Sequence, residues 1–139
     1  MTFAPRSKEF DDVYFSKENG LKETRFVFLK GNNLPQNWAG KAEFTICETG
    51  FGTGLNFLAA WKLFKETADK GARLEFVSFE KFPLKADEIK EYLKPWENEF
   101  PEELKTLCDR YPPLEPGVHK IIMDVNVALV LIFDDVNKA

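Results

Sequence analysis

Glu43-Phe44-Thr45-Ile46-Cys47-Glu48-Thr49-Gly50-Phe51-Gly52-Thr53-Gly54-Leu55 passes from a short apolar run, through alternating glycines, into a segment with helical spacing. Strand, tight glycine turn and helix in succession bring backbone N–H groups close to a nucleotide-type ligand. Glycine serves such a turn because the backbone bends sharply and a Cβ would block the approach of the bound molecule. The helix start that follows is expected to leave unpaired N–H groups facing that molecule.

The spacing narrows the ligand. A nicotinamide fingerprint would be Gly-x-Gly-x-x-Gly. Counted from Gly50 its third glycine falls on Leu55, and counted from Gly52 it falls on Phe57, so neither register fits. Gly-x-Gly-x-Gly with Glu48 ahead of it favours S-adenosylmethionine over a dinucleotide. The plainer reading, an ordinary strand-to-helix connection, stands beside it.

Outward from the turn, helices and strands alternate. Strand Glu43–Cys47 is followed by a helix from Leu55 to about Lys65, with Leu55, Leu58, Ala59 and Lys62/Leu63 at helical spacing. Gly71 ends that helix, and Leu74–Phe79 reads as the second strand. Pro83 is placed to open a helix over Leu84–Leu93, and Glu99–Arg110 reads as another, with Pro101 early in it. A proline-rich loop through Pro112, Pro113 and Pro116 leads to strands His119–Met123 and Val127–Phe133. This order points to an α/β sheet with parallel strands at its centre. Upstream, Phe10–Phe15 and Glu23–Leu29 flank Asn19-Gly20, which suggests an antiparallel hairpin. Leu34–Ala39 reads as a connecting turn or short helix. The expected division is a hairpin extension over 1–42 and the first half of a Rossmann-like sheet over 43–139.

Four features would converge in a methyl-donor site. The turn is the first, with Gly50, Phe51, Gly52 and Gly54 against the cofactor and Glu48 facing its amino-acid end. Glu80, at the end of the second strand, is the second, because a carboxylate there can accept hydrogen bonds from both ribose hydroxyls. Beside it, Lys81 and Phe82 either flank the adenosine or are a surface charge and a core ring. Asp135, after the strand ending at Phe133, is the third, positioned for the adenine amino group, and Asp134 is an alternative. The fourth is Phe10-Asp11-Asp12-Val13-Tyr14-Phe15. There Asp11, Asp12, Tyr14 and Phe15 could line a substrate pocket, rings stacking on a base and an acid holding a cationic amine. Composition favours the other reading, a hairpin anchored onto the core.

Composition excludes several classes. The chain has 139 residues, a 44% hydrophobic share and 14 phenylalanines, which suits a folded domain with a real core. A net charge of −4 gives no bulk attraction to nucleic acid. No basic stripe is present, so RNA contact needs local patches or further protein. The first twenty residues are polar and charged, unlike a signal peptide, and no apolar run approaches the ~20 residues that cross a bilayer. Cys47 and Cys108 are isolated in sequence. Cys47 is expected in a buried strand as a small apolar side chain, and cytoplasmic residence is the default. His119, the single histidine, lacks partners for a triad or a metal site and is expected to be structural. No metal site and no catalytic residue is singled out.

Longer motifs carry a resemblance. Phe10-Asp11-Asp12-Val13-Tyr14-Phe15-Ser16, Gly20-Leu21-x-Glu23-Thr24-Arg25, Glu48-x-Gly50-Phe51-Gly52-Thr53-Gly54-Leu55-Asn56-Phe57, Ser78-Phe79-Glu80-Lys81-Phe82-Pro83-Leu84 and Pro116-Gly117-x-His119 closely resemble the methyltransferase domain of the bifunctional tRNA-modifying MnmC family. The match runs from about Arg6 to Asp135. It implies a class I S-adenosylmethionine methyltransferase fold that methylates the aminomethyl group of a wobble 5-aminomethyl-2-thiouridine in tRNA. FAD belongs to a separate oxidase domain that nothing here resembles.

Two departures set further expectations. The family has Phe-Gly-Asp where this chain has Phe133-Asp134-Asp135, and a Cβ at Asp134 could crowd the adenine. The family domain also continues for roughly another hundred residues, through an Asp-Gly-Phe-Ala-Pro motif on the acceptor side. A fragment inactive alone is therefore expected, with an exposed sheet edge that favours self-association. The competing reading is a non-catalytic remnant or a protein-interaction module that retains the fold.

Overall fold

A computed structural model describes residues 28–134. The core elements are β1 (Glu43–Thr49), α1 (Leu55–Thr67), β2 (Arg73–Glu80), α2 (Ala86–Tyr92), α3 (Pro101–Arg110), β3 (Gly117–Asp124) and β4 (Val127–Phe133). Single 3-10 turns lie at Gln36–Trp38 and Lys94–Trp96.

The strands form one sheet in the order β1-β2-β4-β3. β1 runs parallel to β2, and β2 parallel to β4. β3 lies antiparallel against β4, with an irregularity between Ile122 and Asp124. The parallel centre matches the order of elements in the sequence. β4 is apolar along its whole length and lies inside the sheet, bonded on both sides; Val127, Leu129, Leu131 and Phe133 are buried, and the residues between them are partly buried.

The core occupies one face of that sheet. Ile46, Phe76, Leu129 and Leu131 share it with Phe57, Leu58, Trp61 and Phe64 of α1, Ile89 of α2, and Leu104 and Leu107 of α3. The row Phe57, Trp61, Phe64 follows the i, i+4, i+7 spacing of one helix face. Phe57 meets Phe76 edge-on at 5.2 Å. The expected stripe holds in part: Leu58 and Ala59 are buried, whereas Leu55 and Leu63 are only partly buried. Trp38 is fully buried, with its ring 5.0 Å from Phe64 and 5.8 Å from Phe44. Its indole N–H donates to the Thr67 hydroxyl at 2.9 Å. Residues upstream of β1 thus share the core of the sheet.

The opposite face carries no helix among the described residues. Cys47 is exposed there, which corrects the expectation of a buried thiol. Alternation along β1 sends Ile46 into the core and Cys47 to the open side. Val118, Ile122 and Phe79 are 69%, 54% and 47% exposed.

β1, β2 and β3 run one or two residues past the sequence reading at one or both ends, and three further boundaries differ from it. α3 begins at Pro101, not Glu99, because the residue before a proline is driven out of helical geometry; Phe100 has φ −134° and ψ 56°. α2 begins at Ala86, leaving Pro83 and Leu84 in the preceding loop. Lys85 is extended there, and its backbone N–H donates to the Glu88 carboxylate at 2.7 Å, fixing the helix start. Phe28 and Leu29, read as the end of a strand, lie in a helical turn instead. Their carbonyls accept from Asn32 N–H at 3.1 Å and Leu34 N–H at 2.9 Å. Phe10–Phe15 and the rest of the expected hairpin lie outside the described residues.

Candidate functional site

The carboxyl ends of β1 and β2 meet the start of α1 at the glycine turn. Gly50 N–H donates to the Phe79 carbonyl at 2.6 Å, which carries the β1–β2 ladder one residue past the strand. The chain then turns with φ of +83°, +58° and +89° at Gly50, Gly52 and Gly54. Each value lies where L side chains are strained. A Cβ built at Gly50 or Gly52 would meet none of the described residues within 4 Å. Among the described residues, open space therefore lies over both, as a ligand seated on the turn requires. Gly54 serves packing instead: a Cβ there would lie 2.9 Å from the Phe51 ring and 3.2 Å from Leu107.

The turn's N–H groups depart from expectation. Gly52 N–H donates to Glu80 Oε1 at 2.8 Å, and Gly54 N–H to the Phe51 carbonyl at 3.0 Å. With Gly50 paired to Phe79, all three glycine N–H groups are engaged inside the protein. A short strand-to-helix turn can satisfy its own donors, and Glu80 reaches one of them. What the turn presents to a ligand is room and the Glu80 carboxylate.

Glu80 bridges the glycine turn and the loop after β2. Its second oxygen accepts from Phe82 N–H at 3.0 Å. A carboxylate offers about four acceptor positions, so each oxygen keeps a lone pair for a further donor. The Glu80 carbonyl accepts from Asp134 N–H at 3.1 Å, so the chain leaving β4 runs alongside the end of β2. Asp135 itself, like Asp11, Asp12, Tyr14 and Phe15, lies outside the described residues.

Glu48 lies one layer below, opposite Ser78 in the β1–β2 register. Ser78 Oγ donates to Glu48 Oε1 at 3.0 Å, and Asn56 Nδ2 donates to Oε2 at 3.3 Å. Burial pushes the Glu48 carboxyl up to about 7 against the downward pull of the Ser78 and Asn56 hydrogen bonds, with Glu80 adding a further upward push.

Other expected site residues fall differently. Phe51 is buried, its ring 6.4 Å from Phe57, so its side chain belongs to the core. Lys81 Nζ lies 5.7 Å from the centre of the Phe82 ring. Phe82 is 57% exposed, which corrects its reading as a core ring; the loop beyond β2 has already left the layer that α1 covers. His119 Nε2 lies 2.6 Å from the Glu115 carbonyl and its ring 5.0 Å from Phe133, a packing role. The Tyr111 hydroxyl is buried with no hydrogen-bond partner among the described residues. Burial, with the Glu80 and Glu88 charges, pushes its phenol well above the usual range.

Sequence reasoning missed Ser78 and Asn56. The available signal was a lone polar residue at an inward position of the apolar strand Leu74–Phe79. A fully buried serine needs a partner, and the register supplies Glu48. Among the described residues, no cluster of His, Cys, Asp and Glu could hold a metal. No helix there is long and apolar enough to cross a membrane.

No protein-family model matches the chain. The tRNA 5-methylaminomethyl-2-thiouridine biosynthesis bifunctional protein MnmC of Saccharophagus degradans is 48% identical over 136 residues, spanning 94% of this chain and 19% of that protein. The protein of the same name from Idiomarina loihiensis is 45% identical over 138 residues, spanning 96% of this chain and 23% of its own length. The chain thus spans about a fifth of the length of the curated relatives it matches. Among solved structures, the crystal structure of MnmC2 from Aquifex aeolicus aligns with a TM-score of 0.51 at 21% identity, covering 86% of this chain and 35% of that one. That likeness is one of fold.

Proposed function

We propose that this chain, a relative of the MnmC proteins along nearly its whole length, forms the donor side of an S-adenosylmethionine-dependent tRNA methyltransferase domain. The substrate that this reading assigns is the aminomethyl group of a wobble 5-aminomethyl-2-thiouridine, in keeping with the names its relatives carry. The observation that carries the reading is the glycine turn with the two carboxylates beside it. No described residue fills the space over Gly50 and Gly52, a carboxylate stands at the end of β2, and a second carboxylate is held beneath the turn.

The residues fit such a cofactor. The remaining lone pairs on Glu80 suit the two ribose hydroxyls. Glu48 suits the cationic amino-acid end. Phe82, exposed beside Glu80, suits an adenine face. Bound there, S-adenosylmethionine supplies a methyl group already activated on a sulfonium. The protein's own contribution is alignment in a sheltered crevice, and proximity of this kind supplies ~7–11 kcal/mol of a barrier. The acceptor amine loses a proton in the transfer, which an acid near the amine would take. In this reading Asp11, Asp12, Tyr14 and Phe15 stand on the acceptor side and Asp135 at the adenine.

Calorimetry with S-adenosylmethionine tests the reading on the wild type, Gly52→Val and Glu80→Ala. The valine fills the space over the turn, and the alanine removes charge-assisted hydrogen bonds worth ~1.5–3 kcal/mol each. Both variants are expected to lose tenfold or more in affinity, and unchanged binding in both would remove the site assignment. Incubation with labelled donor and hypomodified tRNA then separates an active chain from a donor-binding remnant.

A further inference from the structure

The side chains that hold Glu48 have no part in the donor reading so far. Ser78 is fully buried on β2, directly across the ladder from Glu48. Its hydroxyl donates to one carboxylate oxygen at 3.0 Å, and Asn56, in the first turn of α1, donates to the other at 3.3 Å. A strand and a helix therefore each contribute one donor, one to each oxygen. A buried carboxylate with two such donors is fixed in orientation, and hydrogen bonds from neutral donors favour its ionised form.

We infer that Ser78 and Asn56 are positioning residues, which orient the Glu48 carboxylate beneath the glycine turn and favour its anion, so that it receives the ammonium group of an amino-acid-bearing nucleoside. The inference rests on the donor reading above and adds to it how the amino-acid end is recognised. The surroundings of Glu48 agree. Glu80 on β2 is the charged side chain that bears on it, and it opposes ionisation. α1 offers it the neutral Asn56. Burial and Glu80 both favour the protonated acid, while Ser78 and Asn56 favour the anion. A ligand cation tips this balance towards the anion, and a neutral nucleoside does not.

The test uses the full chain, as wild type, Ser78→Ala, Asn56→Ala and Glu48→Gln. Carboxyl-carbon NMR follows the Glu48 titration without ligand, with Glu48→Gln assigning the signal. Loss of either donor is expected to raise its midpoint by about one pH unit. Calorimetry then compares S-adenosylhomocysteine, which carries the ammonium, with 5′-methylthioadenosine, which lacks the amino-acid end. At pH 7 Ser78→Ala is expected to bind S-adenosylhomocysteine about fivefold more weakly, as the ionised fraction falls from about half to about a tenth. That deficit should close by pH 8.5, and 5′-methylthioadenosine should bind wild type and variant alike.

A merely structural role for Ser78 would weaken both ligands equally at every pH and leave no pH-dependent difference between them. That result, or unmoved Glu48 midpoints in both variants, overturns the inference. If the wild type binds neither nucleoside at any pH, the donor reading falls and the ammonium role with it, while the NMR midpoints still decide whether the two donors hold the anion. Should Ser78→Ala not fold, Asn56→Ala on α1 carries the same comparison.

Discussion

Replacing Glu48 with Gln is expected to stabilise the ligand-free chain at neutral and alkaline pH. Burial raises the Glu48 carboxyl from its ordinary 4.5 to about 7 in the fold. The folded chain therefore holds a proton that the unfolded chain has released over this interval. A folded value above the unfolded one gives stability that is fully present below pH 4.5 and lost as pH rises through about 7. At roughly 1.4 kcal/mol per pH unit, the gap amounts to about 3 kcal/mol. The other perturbed groups titrate elsewhere: Asp109 is held below its ordinary 3.8, and Cys108 and Lys65 are raised above 9.0 and 10.5. The window between pH 4.5 and 7 thus isolates Glu48 among them. Urea unfolding at pH 5, 6, 7 and 8 should show the wild type losing most of this increment and Glu48→Gln losing none of it. The two should converge near pH 5 and part by about 2–3 kcal/mol at pH 8. Parallel curves for the two proteins across the window would refute the burial argument.

Two other substitutions follow from the geometry. Gly54→Ala places a Cβ 2.9 Å from the Phe51 ring at φ +89° and is expected to cost about 1–3 kcal/mol in a thermal melt; an unchanged melting temperature would mean that the turn relaxes freely. The open sheet face, with Val118 69% and Ile122 54% exposed, is expected to drive self-association, so Ile122→Glu should move the chain towards monomer in sedimentation velocity, and an identical distribution for both proteins would count against it.

The fold was legible where pattern and position agree. β4 reads as a strand because it is apolar throughout; its alternate residues Val127, Leu129, Leu131 and Phe133 are buried, and it is paired on both sides. The turn into α1 reads correctly because positive φ at Gly50, Gly52 and Gly54 leaves few other residues able to make it. Errors arose where tertiary context overrode local signals. Cys47 sits in a strand read as buried, yet β1 has helices on one face only among the described residues, and alternation turns Cys47 to the other face. Phe82 is a phenylalanine in a phenylalanine-rich chain, and nothing local says that the loop after β2 carries it out to solvent. The stripe read on α1 found Leu58 and Ala59 but not the aromatic row Phe57, Trp61 and Phe64 that shares the core with them, where larger rings remove more apolar surface from water.

The site was half legible for a related reason. Glu48, Gly52 and Glu80 announce themselves by their distance from the glycines along the chain. Which groups they touch depends on the strand register, which the sequence does not state. Glu48 against Ser78 follows only once β1 and β2 are known to be parallel and in that alignment. The same alignment, carried one residue past the Thr49–Phe79 pair, places Glu80 level with Gly50, close enough for its carboxylate to take the Gly52 N–H. A one-residue slip would turn Ser78 to the open face and leave Glu48 buried without that donor. The two carboxylates therefore differ in environment although they stand on neighbouring strands. Glu80 is held by backbone N–H groups at the rim, and Glu48 by side chains beneath it. That division suits a ligand with hydroxyls at one end and a cation at the other, and it arises from register and burial, not from the identity of either residue.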